Sequence, residues 1–374
     1  MKIGIISMQR IVNCGSFLQA YALKKIIEDL GHEVIFIDYT VEKPLLRNQE
    51  DKKIYYKNKF KKNMLDLMSC CPSVFSIVPF EIRYSLQERY NYKRNYFKYI
   101  GLSQKKQYHT QVDTLVIGSD EVFNCLQINP EVGYSLELFG KNSNSKKIIS
   151  YAASFGNTTY DEIKKAGIEN ELRFYLNKME TLSVRDDNSV NLIKKISGRI
   201  SDYHLDPVLI YGFEKEIKEL PIKDNFILVY AYRQRIRPNE VTAIQNFAKE
   251  NKCKIISVGG FQTFCDENIL ATPFEILGYF KKAKYIFTDT FHGTIFSVIN
   301  HKQFVTFVRE GHGTTYGNSE KMSSLLNKLG LEERKVMSVK MLSEVAKSPI
   351  DYFKVDRILN EERRRARDYL SENL

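Results

Sequence analysis

The 374-residue chain reads as an α/β protein made of two successive halves, each with its own parallel sheet. Three observations predict this. Short apolar runs alternate with helical patterns along most of the chain, the sequence signature of a parallel sheet with helical crossovers. The opening runs strand, loop, helix, strand, and a βαβ start of this kind places ligands at the carboxyl ends of the strands. The alternation then resumes after a polar stretch ending at Leu205-Asp206-Pro207. Two Rossmann-like domains facing across a cleft are therefore expected: residues 1–205 and 206–350, with a long helix from about residue 351 to 370, within the segment 351–374, bracing them.

In the first half, residues 3–7 form a short apolar strand and residues 8–15 a loop ending in Asn13, Cys14 and Gly15. From Ser16, the apolar residues Phe17, Ala20, Tyr21, Ile27 and Leu30 keep helical spacing, and Gly31 stops the helix. Residues 33–38 are the second strand. Residues 41–110 break the rhythm and read as an inserted helical segment rich in Lys, Arg and Tyr. Strands follow at 113–117, 146–152 and 181–185. In the second half the pattern is strand 225–231, helix 238–251 opened by Pro238, strand 254–258, helix 273–282, strand 284–288, helix 293–300, strand 303–308 and helix 319–329.

Composition narrows the function classes. The 43% hydrophobic content with 23 Tyr and 23 Phe supports sizeable cores rather than disorder. A net charge of +11 points to an anionic partner: nucleic acid, an anionic membrane surface or a phosphorylated substrate. The six cysteines form no CxxC pair, and nowhere do about 20 apolar residues run together. With no signal-peptide pattern at Met1, a reducing cytoplasm is the expected compartment.

The segment Thr288-Asp289-Thr290-Phe291-His292-Gly293-Thr294 passes from a strand into a helix. It places His292 at the carboxyl edge of the sheet and offers the backbone N–H groups of Gly293, Thr294 and Ile295 to a bound phosphate. An imidazole there suits general-acid work near neutral pH; a histidine that only caps the turn is the competing reading. Arg185 ends a strand, Arg233, Arg235 and Arg237 follow another, and Lys321 sits on the helix after the Gly311-His312-Gly313 loop. Arginine suits carboxylate or phosphate, although solvated surface charge is the plain reading of the 233–237 group. At Gly118-Ser119-Asp120 a strand turns a corner. Asp120 there would accept a proton or a hydrogen bond from a sugar hydroxyl, or Ser119 and Asp120 would only cap a helix. Asn13 and Gly15 carry the same two readings.

Tyr and Phe interleave with Lys and Arg over residues 84–99, which reads as an amphipathic helix with snorkelling basic side chains in preference to a nucleic-acid surface. The arginines at 363–365 and 367 read the same way, as a solvated helix face; together with Lys52, Lys53, Lys57, Lys59, Lys61 and Lys62 they could also hold the chain near anionic lipid at the inner membrane face. The spacing of His292, His301 and His312 makes no metal motif, and neither a GxSxG elbow nor a Walker loop is present.

Taken in order, several segments resemble the polysaccharide pyruvyl transferases. These are Asn13, Gly15 and Leu18-Gln19-Ala20-Tyr21-Ala22-Leu23; Leu30-Gly31-His32-Glu33-Val34; Gly118-Ser119-Asp120 with Asn124; and Tyr151-Ala152-Ala153-Ser154-Phe155-Gly156. Ser183-Val184-Arg185, Leu205-Asp206-Pro207, Phe291-His292-Gly293-Thr294 and the block from Asn318-Ser319 to Leu331 complete the set. The resemblance implies a GT-B-like fold and transfer of a pyruvyl group from phosphoenolpyruvate to a sugar hydroxyl pair as a ketal, without metal or organic cofactor, in cell-surface polysaccharide synthesis. It implies that His292 is the acid and that Arg185 and Lys321 are donor-substrate contacts, Lys321 standing where the family often has Arg. Phosphoenolpyruvate and a glycan acceptor, free or lipid-linked, are then the partners, and nucleic acid is not. A nucleotide-sugar glycosyltransferase on the same scaffold and a non-catalytic basic adaptor for capsule-assembly enzymes are the competing hypotheses.

Overall fold

The computed structural model describes residues 1–222, 225–309 and 319–374. The chain divides into two compact units, Met1–Tyr211 with Glu362–Leu374, and Gly212–Glu361. The expected joint at Leu205-Asp206-Pro207 lies inside the first unit, and the last helix is divided between the two.

The first unit holds strands β1 (Lys2–Ile6), β2 (Glu33–Phe36), β3 (Thr114–Asp120), β4 (Lys147–Ala153), β5 (Ser183–Val184) and β6 (Asp202–Tyr203) in the order β2-β1-β3-β4-β5-β6. Every pairing is parallel. Its helices are α1 (Cys14–Asp29), α2 (Gln49–Ser69), α3 (Phe80–Asn91), α4 (Tyr160–Lys165), α5 (Glu169–Lys178), α6 (Asp187–Ser197) and α7 (Pro207–Tyr211). β3 is buried at all seven positions, which explains why it reads as a continuous apolar run and not as an alternation. α1 is apolar nearly all round because it is covered on most sides: Phe17, Leu18, Ala20, Leu23 and Ile26 are fully buried. Phe17 meets Tyr92 edge to face at 6.1 Å, and four of the six aromatics of the 84–99 segment serve the core: Tyr84, Tyr92, Tyr96 and Phe97 are buried, whereas Tyr90 is partly buried and Tyr99 exposed.

The second unit repeats the plan with β7 (Phe226–Tyr230), β8 (Lys254–Val258), β9 (Glu267–Ile269), β10 (Tyr285–Thr288), β11 (Phe304–Phe307) and β12 (Lys335–Val336), ordered β12-β11-β10-β7-β8-β9 and again all parallel. Its helices are α8 (Pro238–Glu250), α9 (Pro273–Lys282), α10 (Phe291–Ile299), α11 (Ser319–Leu329) and α12 (Leu342–Lys347), followed by the shared α13 (Tyr352–Asn373). Tyr352 near the start of α13 donates to the Lys302 carbonyl at 2.6 Å, and Tyr369 near its end donates to the Ser150 carbonyl at 2.9 Å. Two parallel sheets with helices are thus what the alternation predicted, with six strands in each where the sequence showed five and four. Among the described residues no helix is long and apolar enough to cross a membrane.

Two local expectations are corrected. α1 starts at Cys14, two residues earlier than expected, because Asn13 caps it by accepting from the Ser16 N–H at 3.0 Å. Gly118-Ser119-Asp120 is not a strand-to-helix corner, since β3 runs through all three residues and no α-helix follows directly.

Gly118 has φ +137°, and a Cβ there would overlap the Tyr151 carbonyl oxygen on β4. Gly198 also has positive φ, but a Cβ there meets nothing within 4 Å. Gly198→Ala should therefore cost about 1–2 kcal/mol from backbone conformation alone, whereas Gly118→Ala should lower the thermal midpoint of the first unit far more. Equal shifts in a melt of the two variants would contradict the packing at β3–β4.

Candidate functional site

The carboxyl edge of the first sheet carries a buried charge network. Arg185 leaves the end of β5, its backbone N–H bonded to the Ala153 carbonyl at 3.1 Å. Its Nη2 donates to Asp120 at the end of β3 (2.9 Å) and its Nη1 to Asp206 just beyond β6 (2.6 Å). Burial opposes the Arg185 charge, but the Asp120 and Asp206 carboxylates more than offset this and hold the guanidinium protonated beyond its ordinary range. Asp120 also accepts from the Ser16 hydroxyl at 2.8 Å and the Glu121 N–H at 3.0 Å, and its backbone takes the left-handed conformation, φ +80°. Aspartate is among the few non-glycine residues that tolerate that region. Asp206 accepts in addition from the Val208 N–H at 3.1 Å, which ties α7 to the same network.

Arg185, expected as a donor-substrate contact, is instead buried with its guanidinium shared between two carboxylates, one cation against two anions. Ser119 is fully buried; its hydroxyl donates to the Ala152 carbonyl at 3.0 Å, and its own carbonyl accepts from Ser7 at 3.0 Å. Ser119 thus fixes the strand end rather than facing a ligand. Gly15 is buried in the first turn of α1.

In the second unit the strand-to-helix turn is where the sequence placed it. The Thr288 hydroxyl donates to the Tyr230 carbonyl at 2.6 Å and accepts from the Thr290 N–H at 3.1 Å. α10 begins at Phe291, with Thr290 as its cap. The Gly293 N–H donates to the Thr290 hydroxyl at 2.9 Å and the Thr294 N–H to the Thr290 carbonyl at 3.2 Å. This corrects the expectation that those N–H groups are offered to a phosphate: the cap sits three residues ahead of Gly293 and takes them. Gly293 is itself a packing residue, since a Cβ would collide with the Thr288 and Thr290 hydroxyls and come within 2.8 Å of Tyr230. Thr294 is fully buried, its hydroxyl 2.8 Å from that of Thr306 on β11.

His292, half-buried in the first turn of α10, lies beside the rings of Phe291 and Phe296, at 5.6 and 6.0 Å between centroids. Lys321 of α11 is buried, with Nζ 5.9 Å from the Phe291 ring, so this cation is on the same face as the turn. Asp289, at the end of β10, is fully buried. Burial pushes its carboxyl up to about 6, against the pull of Arg235 and Arg309. Arg309 itself grips Glu240 of α8 through two bonds of 2.6 and 2.7 Å and donates to the Arg235 carbonyl at 3.2 Å. Arg235 stacks over Tyr232 at 4.2 Å, while Arg233 is exposed on the same loop. His292, Lys321, Asp289, Arg235 and Arg309 thus share the carboxyl end of the second sheet. The site combines an imidazole, several cations and a carboxyl that titrates near neutrality, as acid–base work on an anion requires.

The structure gathers Asn13, Gly15, Ser119, Asp120 and Arg185 in the first unit, and Arg233, His292, Gly293, Thr294 and Lys321 in the second. His312, the Gly311-His312-Gly313 loop and Asn318 lie outside the described residues. Reading the sequence alone missed Ser16, Asp206, Asp289, Glu240 and Arg309 as site residues. Asp206 and Asp289 stood inside quoted motifs. Glu240 and Arg309 carry no local signal, because their significance lies in a pairing across 69 residues.

Two outcomes follow from these charges. Arg185→Ala leaves Asp120 and Asp206 buried without their cation and should cost about 3–5 kcal/mol; a variant that melts like the parent would contradict the network. Asp289 is protonated up to about pH 6 in the folded chain and only to about pH 4 when unfolded. Its contribution to stability is present below pH 4 and is lost as pH rises through 6. The stability of Asp289→Asn should accordingly gain on the parent between pH 4 and 6 and run parallel above; parallel curves throughout would refute the buried acid.

The profile of the polysaccharide pyruvyl transferase family matches residues 13–311. The chain has no significant match among curated proteins. Solved structures give distant overall likenesses. The UDP-GlcNAc 2-epimerase of Methanocaldococcus jannaschii, solved with UDP-GlcNAc and UDP, is 11% identical with a TM-score of 0.47, covering 96% of this chain and 99% of that one. The Streptomyces sp. SF2575 glycosyltransferase SsfS6, complexed with thymidine diphosphate, is 12% identical with a TM-score of 0.44, covering 99% and 98%. MnaA of S. aureus, solved with UDP, is 11% identical with a TM-score of 0.43, covering 96% and 95%. The profile spans most of the chain, from Asn13 past Arg309, and takes in every residue of the two carboxyl-edge clusters except Lys321: this protein belongs to the polysaccharide pyruvyl transferase family.

Proposed function

We propose that the chain moves the pyruvyl group of phosphoenolpyruvate onto two hydroxyls of a glycan as a cyclic ketal, in the cytoplasm, during cell-surface polysaccharide synthesis. In a chain of this family, the observation that carries the reading is the half-buried His292 at the carboxyl end of β10, with Lys321 beside its turn and Arg235 and Arg309 around Asp289.

The chemistry calls for such a set. A proton from the His292 imidazolium goes to C3 of the enol, turning CH2 into CH3 and leaving cationic character at C2. One sugar hydroxyl adds its oxygen to C2 and its proton returns to the imidazole. The C2–O bond to phosphate then breaks, the second hydroxyl closes the ketal, and its proton leaves with the phosphate. Lys321 and the exposed Arg233 supply charge for the donor's phosphate and carboxylate. Fixed positive groups of this kind contribute several kcal/mol when they are positioned in advance. In the first unit, taken by itself, Asp120, its place set by Arg185 and Ser16, is our candidate for holding a sugar hydroxyl. Phosphoenolpyruvate is a substrate here, and no step in this sequence calls for a metal or an organic cofactor.

Phosphate release from phosphoenolpyruvate in the presence of acceptor should fall about 10²- to 10⁴-fold in His292→Gln, with the melting temperature unchanged. In Lys321→Ala the KM for phosphoenolpyruvate should rise. Release at the parental rate in His292→Gln would remove the histidine from the acid's role.

A further inference from the structure

The insertion between β2 and β3 carries a surface that the proposed reaction does not use. One side of α2 is anchored: Asp51, Tyr55 and Ser69 are buried, and Arg47 holds Asp51 at 2.9 Å. Asp66, the one acidic residue from Lys52 to Ser69, is held by Lys62, Arg89 and Lys93 at 2.9, 2.8 and 2.6 Å. On the opposite side Tyr56, Phe60, Met64 and Leu67 point outward, Phe60 at 73% and Leu67 at 74% exposure. Spaced i, i+4, i+8 and i+11, and turning about 100° per residue, they make one stripe along the helix.

Single exposed apolar residues are ordinary, but a row of four on one face marks a binding surface. The flanks say what it binds. Lys57 and Lys61 border one side of the stripe and Lys52 and Lys59 the other, with Lys53 at its head, and all five are exposed. Ile77, which closes the short 3-10 turn Pro72–Ser76 after the helix, is also 80% exposed. An apolar ridge between two rows of ammonium groups complements the boundary of an anionic bilayer. The ridge enters the acyl region, the lysine stems lie along it and their heads reach the phosphates. An acidic protein groove would supply charge, but nothing on this surface selects a fold-specific shape. We infer that the outward face of α2 docks the chain on an anionic phospholipid bilayer. The inference stands apart from the reaction, because no residue of either charge cluster takes part.

The test is flotation of the full chain with phosphatidylcholine vesicles made with and without phosphatidylglycerol. The parent should float with the anionic vesicles and lose at least about tenfold in partitioning on the neutral ones. Phe60→Ser with Leu67→Ser should lose about tenfold on anionic vesicles with an unchanged melting temperature. Failure of the parent to float with anionic vesicles overturns the inference. So does flotation of the double variant at the parental level, which would assign the attraction to the chain's overall charge. Concentration-dependent self-association that the double variant abolishes, without vesicle binding, also overturns it and makes a second copy the occupant. None of these results bears on phosphate release, so the docking and the catalytic reading fail separately.

Discussion

A turn with no space for a side chain holds the imidazole to which we assign the acid's role. Thr288 ties the end of β10 to β7 through the Tyr230 carbonyl, Thr290 receives the Gly293 N–H, and Gly293 lies flat against both threonines and the Tyr230 ring. His292 stands one residue before that contact, so its backbone is fixed by a hydrogen-bonded cap and by close packing together. Its ring has neighbours in Phe291 and Phe296 but remains only half-buried. An acid catalyst needs a position fixed in this way.

Both sheets treat charge at their carboxyl ends in the same way. A buried arginine is held by carboxylates, divided between Asp120 and Asp206 in the first unit and paired through two bonds with Glu240 in the second. Buried ion pairs add little net stability, yet removing one partner is costly, so they fix geometry more than they raise the melting point. What differs is the carboxyl nearby. Asp120 is shared among Arg185, Ser16 and the Glu121 N–H, whereas Asp289 is buried deeply enough to hold its proton up to about pH 6. The first arrangement suits orienting a hydroxyl, the second suits a site where protons move.

The sheets were largely legible because their central strands are apolar runs bounded by Gly, Pro and polar residues; β8, α9 and α11 fall on the expected residues. The short edge strands β6, β9 and β12 were not, since two or three residues with little burial leave no periodic signal. His292 and Lys321 were visible from motif and position. The environment of Arg185 was not, because a residue at a strand end reads as facing a ligand until its partners, 65 and 21 residues away, are known. The Gly293 and Thr294 N–H groups were misjudged for a local reason: moving the start of α10 back to Phe291 turns apparent free donors into capped ones. On α2 the lysines were read, but the apolar stripe between them was not, since burial decides which face of a helix is outward.

In the proposed reaction, His292 delivers a solvent-derived proton to the methylene carbon of phosphoenolpyruvate. The most direct measurement is NMR of the glycan product formed in D2O. A ketal methyl carrying a single deuterium, formed by the parent and not by His292→Gln, is the predicted result. A product that keeps the enol CH2, or a deuterated methyl formed equally well by the variant, would contradict it.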